Sequence, residues 1–118
     1  MSFSNLLFRN INRCALIVNY KQSYLDYLKG VDETLEVDLN SEMLEPNVYL
    51  IPDFETKVEG FEWLSKNYQE IFTEELALWY ADEALWPENL SFDLFNKFFK
   101  FEILVMIYDT QKKSIKKM

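Results

Sequence analysis

Residues 34–39, TLEVDL, alternate without exception: Leu35, Val37 and Leu39 fall on one side, Thr34, Glu36 and Asp38 on the other. Successive side chains of a strand point to opposite faces, so a strict period of two with one polar face predicts a half-exposed edge strand. This stretch decides the fold, because it sets whether the sheet has four members or three.

On its N-terminal side, RCALIVNY (13–20) is a compact apolar run rich in strand formers and reads as a strand buried on both faces. Residues 21–30 follow as a short helix, with Tyr24, Leu25 and Leu28 at helical spacing and Gly30 where a left-handed cap commonly ends a helix. Before the strand, Phe3, Leu6, Leu7 and Phe8 are suited to a packed turn. On the C-terminal side, residues 40–46 read as a loop or a single helical turn, and NVYLI (47–51), closed by Pro52, as an interior strand.

Thr56-Lys-Val-Glu59 fits a capping box, in which the threonine hydroxyl accepts from a first-turn amide and the glutamate reaches back to the cap amide. Phe61, Leu64, Tyr68, Ile71 and Phe72 then form one apolar stripe, so residues 57–81 are predicted helical, with Thr73 and the acids after it as a possible second cap. Residues 82–90, holding Trp86 and Pro87, read as an ordered connection. Ser91 caps a helix carrying Phe92, Phe95, Phe98 and Phe99, and FEILVMIYD (101–109) is the last strand.

The order strand, helix, strand, strand, helical segment, strand is that of a single-domain α+β, ferredoxin-like (βαββαβ) sandwich with a small, mainly antiparallel sheet. If residues 34–39 are loop, a three-stranded sheet with helices on one side remains. The chain of 118 residues reads as one domain, with residues 110–118 a basic tail that has little to bury and is expected to be mobile.

Composition bounds the function. The net charge of −8 argues against direct binding to nucleic acid or anionic lipid. Residues 1–31, 32–93 and 94–118 carry +3, −15 and +4, so the acidity is concentrated in a folded, aromatic-rich middle that suits a partner with a basic face. A charge far from zero also serves plain solubility. With no histidine and one cysteine, the commonest metal ligand and general base are missing and no internal disulfide can form. Cys14 lies among Ala15, Leu16, Ile17 and Val18, which suits an inert buried thiol. Two glycines, Gly30 and Gly60, leave no phosphate-cradling loop. Glu74, Glu75, Asp82 and Glu83 show no calcium-loop spacing and read as a solvated acidic face. No metal, no cofactor and no catalytic residue are expected, and the chain reads as no enzyme. The N-terminus lacks the pattern of a secretory signal and no apolar run reaches membrane-spanning length, so a cytoplasmic location is expected.

The strings VYLIPDFE (48–55), NYQEIFTEELALWYADEALWPENLSFDLFNKFF (67–99) and the closing FEILVMIYD, with NRCALIVNYKQSYLDYL (12–28) before them, resemble an uncharacterised family of short bacterial proteins. The resemblance covers most of residues 12–109 and implies a bacterial single domain, but no activity, cofactor or site residue.

The stretch LWYADEALWPENLSFDLF (78–95) interleaves aromatics with acids. Aromatics are enriched at the energetic centres of interfaces, and acids around them favour a basic partner. Glu75, Trp79, Tyr80, Asp82, Glu83, Trp86 and Glu88 are therefore the candidate partner-binding residues of a non-catalytic interaction module whose partner is a protein with a basic or amphipathic face. The same aromatics can instead pin the turn to the core, as can Tyr20, Tyr24 and Tyr27. The alternatives are a small enzyme or ligand-binding domain using carboxylates with Tyr49, Tyr68 or Tyr108, and an acidic nucleic-acid mimic. A homodimer through the edge of strand 101–109 is also expected.

Overall fold

The apolar run at 13–20 forms the middle strand of a three-stranded antiparallel sheet. The computed structural model describes residues 9–116. Its elements are β1 (Arg9–Asn10), β2 (Arg13–Tyr20), α1 (Gln22–Val31), β3 (Asn47–Pro52), α2 (Lys57–Trp79), α3 (Phe92–Phe98), β4 (Phe99–Leu104) and β5 (Tyr108–Asp109), with short 3-10 turns at Glu42–Leu44 and Glu83–Leu85. The sheet order is β3-β2-β4, and β1 pairs with β5 as a separate two-stranded ribbon. The packed turn expected of Phe3, Leu6, Leu7 and Phe8 lies outside the described residues.

Register sorts the side chains. Leu16 faces Tyr49 and Ile103, Cys14 faces Ile51, and Tyr20 faces Phe99; this is the face that the helices cover. Leu16, Val18, Ile103 and Phe99 form one buried cluster with Tyr24, Leu25 and Leu28 of α1, Leu64, Phe72 and Leu76 of α2, and Phe95 and Phe98 of α3. The opposite face carries Ala15 between Leu50 and Leu104 and Ile17 between Val48 and Glu102. Val48, Leu50, Glu102 and Leu104 on it are exposed and Ile17 is half-buried, with Ala15 alone buried between its neighbours, so β2 is fully buried on one face only, not on both.

Residues 34–39 form no strand, and the four-stranded ferredoxin-like sheet is absent among the described residues. The reason is local. The Asp32 carboxylate accepts from the Thr34 amide (3.0 Å) and hydroxyl (2.6 Å), and Asp38 accepts from the Asn40 amide (2.9 Å). Aspartates that bond backbone two residues on offer the chain a turn in place of a sheet ladder. Thr34's two donors also hold the Asp32 carboxyl below its ordinary range. Val37 is buried while Leu39 is 45% exposed, so the alternation is only half used. What forms is the three-stranded sheet with its helices on one side.

The Thr56 cap is present, the hydroxyl accepting from the Glu59 amide at 3.3 Å. It also donates to the Glu59 carboxylate, which takes the place of the expected return bond to the cap amide. Helix α2 then runs unbroken past Thr73, whose hydroxyl donates back to the Glu70 carbonyl at 2.9 Å, and ends at Trp79. Gly30 is not a left-handed cap: α1 continues to Val31, and no glycine among the described residues has positive φ. Ser91 caps α3 by accepting from the Leu94 amide. The last strand begins at Phe99 and stops at Leu104, and Tyr108–Asp109 turns away to pair with β1. Residues 111–116 have no regular structure and are exposed.

At Gly60 α2 lies close against the sheet: a Cβ there would sit 3.0 and 3.1 Å from two side-chain carbons of buried Ile103. Leucine is the better helix former by just under about 1 kcal/mol, yet its four carbons have no room. Gly60→Leu is therefore expected to cost about 3 kcal/mol net, read as a lowered urea midpoint; an unchanged midpoint would contradict this close approach.

Candidate functional site

Glu75 lies on the apolar stripe of α2, three residues after Phe72 and four after Ile71, and this spacing turns it inward. It is 0% exposed. Its Oε1 accepts from the Tyr20 hydroxyl at 2.7 Å and from Asn47 Nδ2 at 3.2 Å, while Oε2 accepts from Asn47 Nδ2 at 3.0 Å and from the Tyr49 hydroxyl. Asn47 also donates to the Tyr20 oxygen at 3.0 Å, which closes the network. The Asn47 amide has two hydrogens for these three contacts, so the carboxylate is held by two hydroxyls and one shared amide, all neutral donors on β2 and β3.

The tyrosines register their surroundings. Burial, with the hydrogen bond to Glu75 and its negative charge behind it, pushes Tyr20 and Tyr49 well above the ordinary phenol range. Burial likewise raises Tyr24, whose hydroxyl points at the Glu75 carbonyl, and takes Tyr27 to about 12.

In front of this network is an open pocket of about 360 Å³, lined by Tyr20, Glu42, Glu45, Asn47, Leu78 and Trp79. Tyr20 and Asn47 form both the wall of the pocket and the first contacts of Glu75. Glu42 and Glu45 come from the 3-10 turn before β3 and its cap; Leu78 and Trp79 come from the last turn of α2. None of the lining residues is basic.

The structure divides the candidate residues read from the sequence. Trp79 lines the pocket. Glu75 belongs to the site, but as a buried group behind it, which corrects its reading as a surface acid; its oxygens are turned to Tyr20, Asn47 and Tyr49, away from any joint cation site with Glu74, Asp82 and Glu83. Tyr80 and Trp86 are half-buried ties: the Tyr80 hydroxyl donates to the Leu28 carbonyl (3.1 Å), and Trp86 Nε1 donates to the Tyr80 carbonyl (2.8 Å). The Tyr27 hydroxyl reaches the Leu85 carbonyl (2.9 Å), so the connection is fastened to α1. Asp82, Glu83 and Glu88 are exposed, and Asp82 caps the short turn by accepting from the Ala84 amide. None of these five lines the pocket.

Of the other tyrosines considered for a pocket, Tyr49 joins the Glu75 network, Tyr68 donates to the Leu90 carbonyl, and Tyr108 is exposed on β5. Cys14 is fully buried; its sulfur accepts from the Phe54 amide at 3.2 Å and fastens β2 to the segment before α2. Glu42, Glu45 and Asn47 were not legible as site residues. The one available signal was a glutamate inside an apolar stripe, four residues before a tryptophan.

Comparison with protein-family models, with curated proteins and with solved structures finds no match. No helix among the described residues is long and apolar enough to cross a membrane.

Proposed function

We propose that the chain is a non-catalytic binding module that receives a lysine or arginine side chain of a basic protein partner in the pocket between the 42–45 turn and the end of α2. The observation that carries this reading is the pairing of an acidic, aromatic pocket, free of basic lining residues, with a buried carboxylate directly behind its wall. A cation there meets Glu42 and Glu45 at the rim and the rings of Tyr20 and Trp79 at the side. Cation–π contact is worth about 0.5–1 kcal/mol at exposed sites and more when desolvated. Glu75 adds negative potential from a low-dielectric position, where a charge is felt more strongly than in water.

The same geometry supports binding over catalysis. A general base needs an acceptor within reach of the substrate proton, and both oxygens of Glu75 are buried and already engaged by Tyr20, Tyr49 and Asn47. Tyr20 and Tyr49 hold their protons tightly and make poor bases. The candidate interface read from the sequence thereby moves: Trp79 stays in it, Glu42, Glu45, Tyr20 and Asn47 enter, and Tyr80 and Trp86 support the fold beside it. A pocket of this volume also falls within the range of small-molecule sites, so a small polyamine is the second reading.

Titration with a lysine-rich peptide, followed by tryptophan fluorescence, tests the proposal. Binding is expected to weaken about tenfold in the Glu42→Gln, Glu45→Gln protein and to fall steeply with added salt. Free spermine separates the second reading, since it should bind as tightly as the peptide only if a small ligand is the natural occupant. Peptide affinity that ignores both substitutions would sink the assignment of this pocket.

A further inference from the structure

The β1–β5 ribbon joins the two basic ends of the chain. Arg9 pairs with Asp109 across it, and the Asp109 carboxylate accepts from the Gln111 amide at 2.9 Å. That turn sets Lys112 and Lys113 with Arg9 around an open cleft of about 250 Å³, which Ile115 shares. Both lysines are exposed, and Ile115 is 72% exposed. A chain of net charge −8 thus carries a local patch in which three cations and an uncovered isoleucine meet a single acid, Asp109.

The acidic pocket is complementary to this patch in both kinds of group. Glu42 and Glu45 are exposed there beside Leu78, which is 62% exposed, and half-buried Trp79. Two carboxylates match two lysines, and an uncovered leucine matches an uncovered isoleucine. The two features lie at opposite ends of β2: the ribbon leads into Arg13, whereas Tyr20 is in the pocket wall. Eight residues at about 3.3 Å each separate the ends of that strand by roughly 25 Å. Lys112 and Lys113 line the cleft beside Arg9, and neither lines the pocket of its own chain.

We infer that Lys112, Lys113 and Ile115 of one copy dock in the acidic pocket of a second copy. The inference rests on the cation-binding reading of that pocket and names its partner. Charge selects the occupant. Residues 32–93 carry −15 and residues 94–118 carry +4, so like ends of two copies repel and unlike ends attract. At about 0.1 M salt the Debye length is about 10 Å, shorter than the distance between the two ends, so each docking group feels the patch before it more than the net charge behind. At about 0.01 M salt that length grows to about 30 Å and the net repulsion is felt, while at about 1 M the attraction is screened as well. Association is therefore strongest at intermediate salt. Exposed ion pairs are individually weak, so it forms at high protein concentration. The contact joins unlike patches, which makes it heterologous, and it leaves the edge of β4 unused.

Sedimentation velocity of the full chain from about 10 to about 500 µM, in about 0.1 M salt, tests the inference. The expected result is a reversible rise in mean mass with concentration. The tail variant Lys112→Gln, Lys113→Gln and the pocket variant Glu42→Gln, Glu45→Gln should each stay monomeric with an unchanged melting temperature, since all four positions are exposed. Their equimolar mixture should associate again, because one keeps the lysines and the other keeps the pocket. A wild type that is monomeric throughout, or a mixture that stays monomeric while either variant associates alone, would overturn the inference. Lysine-rich peptide that binds the tail variant in a protein that never self-associates leaves the pocket reading standing and removes the second copy as its partner. Peptide that binds neither wild type nor tail variant removes both. Tighter peptide binding by the tail variant, with a monomeric wild type, would mean that the lysines fill the pocket of their own chain, and the inference would fall.

Discussion

Glu75→Ala is expected to cost about 4 kcal/mol of folding stability, the largest loss from any single substitution considered for this chain. The carboxylate is fully buried and is hydrogen-bonded by Tyr20, Asn47 and Tyr49. Truncation leaves two hydroxyls and an amide without their acceptor. Each buried polar group so orphaned costs about 1–3 kcal/mol, and Asn47 keeps one bond, to Tyr20, which reduces its share. Domains are stable by only about 5–15 kcal/mol in total, so this is a large share of the whole, read as a lowered urea midpoint. Glu75→Gln keeps one acceptor oxygen but turns an NH₂ toward groups that are themselves donors, and about half the loss is expected.

Context separates a lost network from a lost shape. Glu75→Met in a Tyr20→Phe, Tyr49→Phe background removes donors and acceptor together, and replacing both partners by apolar groups can be nearly neutral. The substitution should therefore cost at least about 2 kcal/mol less there than in the wild type, a coupling that urea unfolding of the four proteins measures directly. Equal cost in both backgrounds would mean that the hydroxyls do not depend on Glu75.

The elements that local chemistry determines were legible in the sequence. Strand formers at 13–20, the Thr56 and Ser91 caps and most of the apolar stripe of α2 each carry their own signal and formed where expected, though Phe61 at the start of that stripe is 43% exposed. Residues 34–39 show the limit of this: their alternation is that of a strand, but Asp32 and Asp38 bend the backbone into turns first. At 98–101 two periods overlap, since Phe99 fits both the helical stripe of Phe92 and Phe95 and the alternation of Phe101 and Ile103. The backbone takes the second, and the strand starts two residues early. The Glu75 network was hidden for a different reason. Its partners are 55, 28 and 26 residues away, on strands whose register no local pattern sets. Trp79 could be singled out as a site residue because an aromatic among acids is a local signal. That Tyr80 and Trp86 serve as ties depends on carbonyls brought near them by the fold.

The same buried phenols make the protein sensitive to base. Tyr20, Tyr24 and Tyr49 are raised well above 10 in the folded chain, Tyr27 to about 12, and Tyr80 is raised as well, burial being the first cause in each. In the unfolded chain all of them ionise near 10. Below that pH both states hold these protons and the stability they are linked to is fully present. As pH rises past 10 the unfolded state releases protons that the native state keeps, so stability falls with pH until the folded values are reached. Tyr24, fully buried at the centre of the aromatic cluster, contributes about 1.4 kcal/mol of this loss per pH unit above 10. Tyr20 and Tyr49 add smaller amounts because water screens them in part. Cooperative unfolding is therefore expected between pH 10 and 12, with phenolate absorbance at 295 nm rising in step with the loss of far-ultraviolet circular dichroism. Tyr24→Phe removes one ionising group and only a long 3.4 Å hydrogen bond, so it should be near wild-type stability at pH 7 and unfold at higher pH. Phenolate appearing well before the circular dichroism changes would show that these hydroxyls are open to solvent, and the closed network around Glu75 would then have to be abandoned.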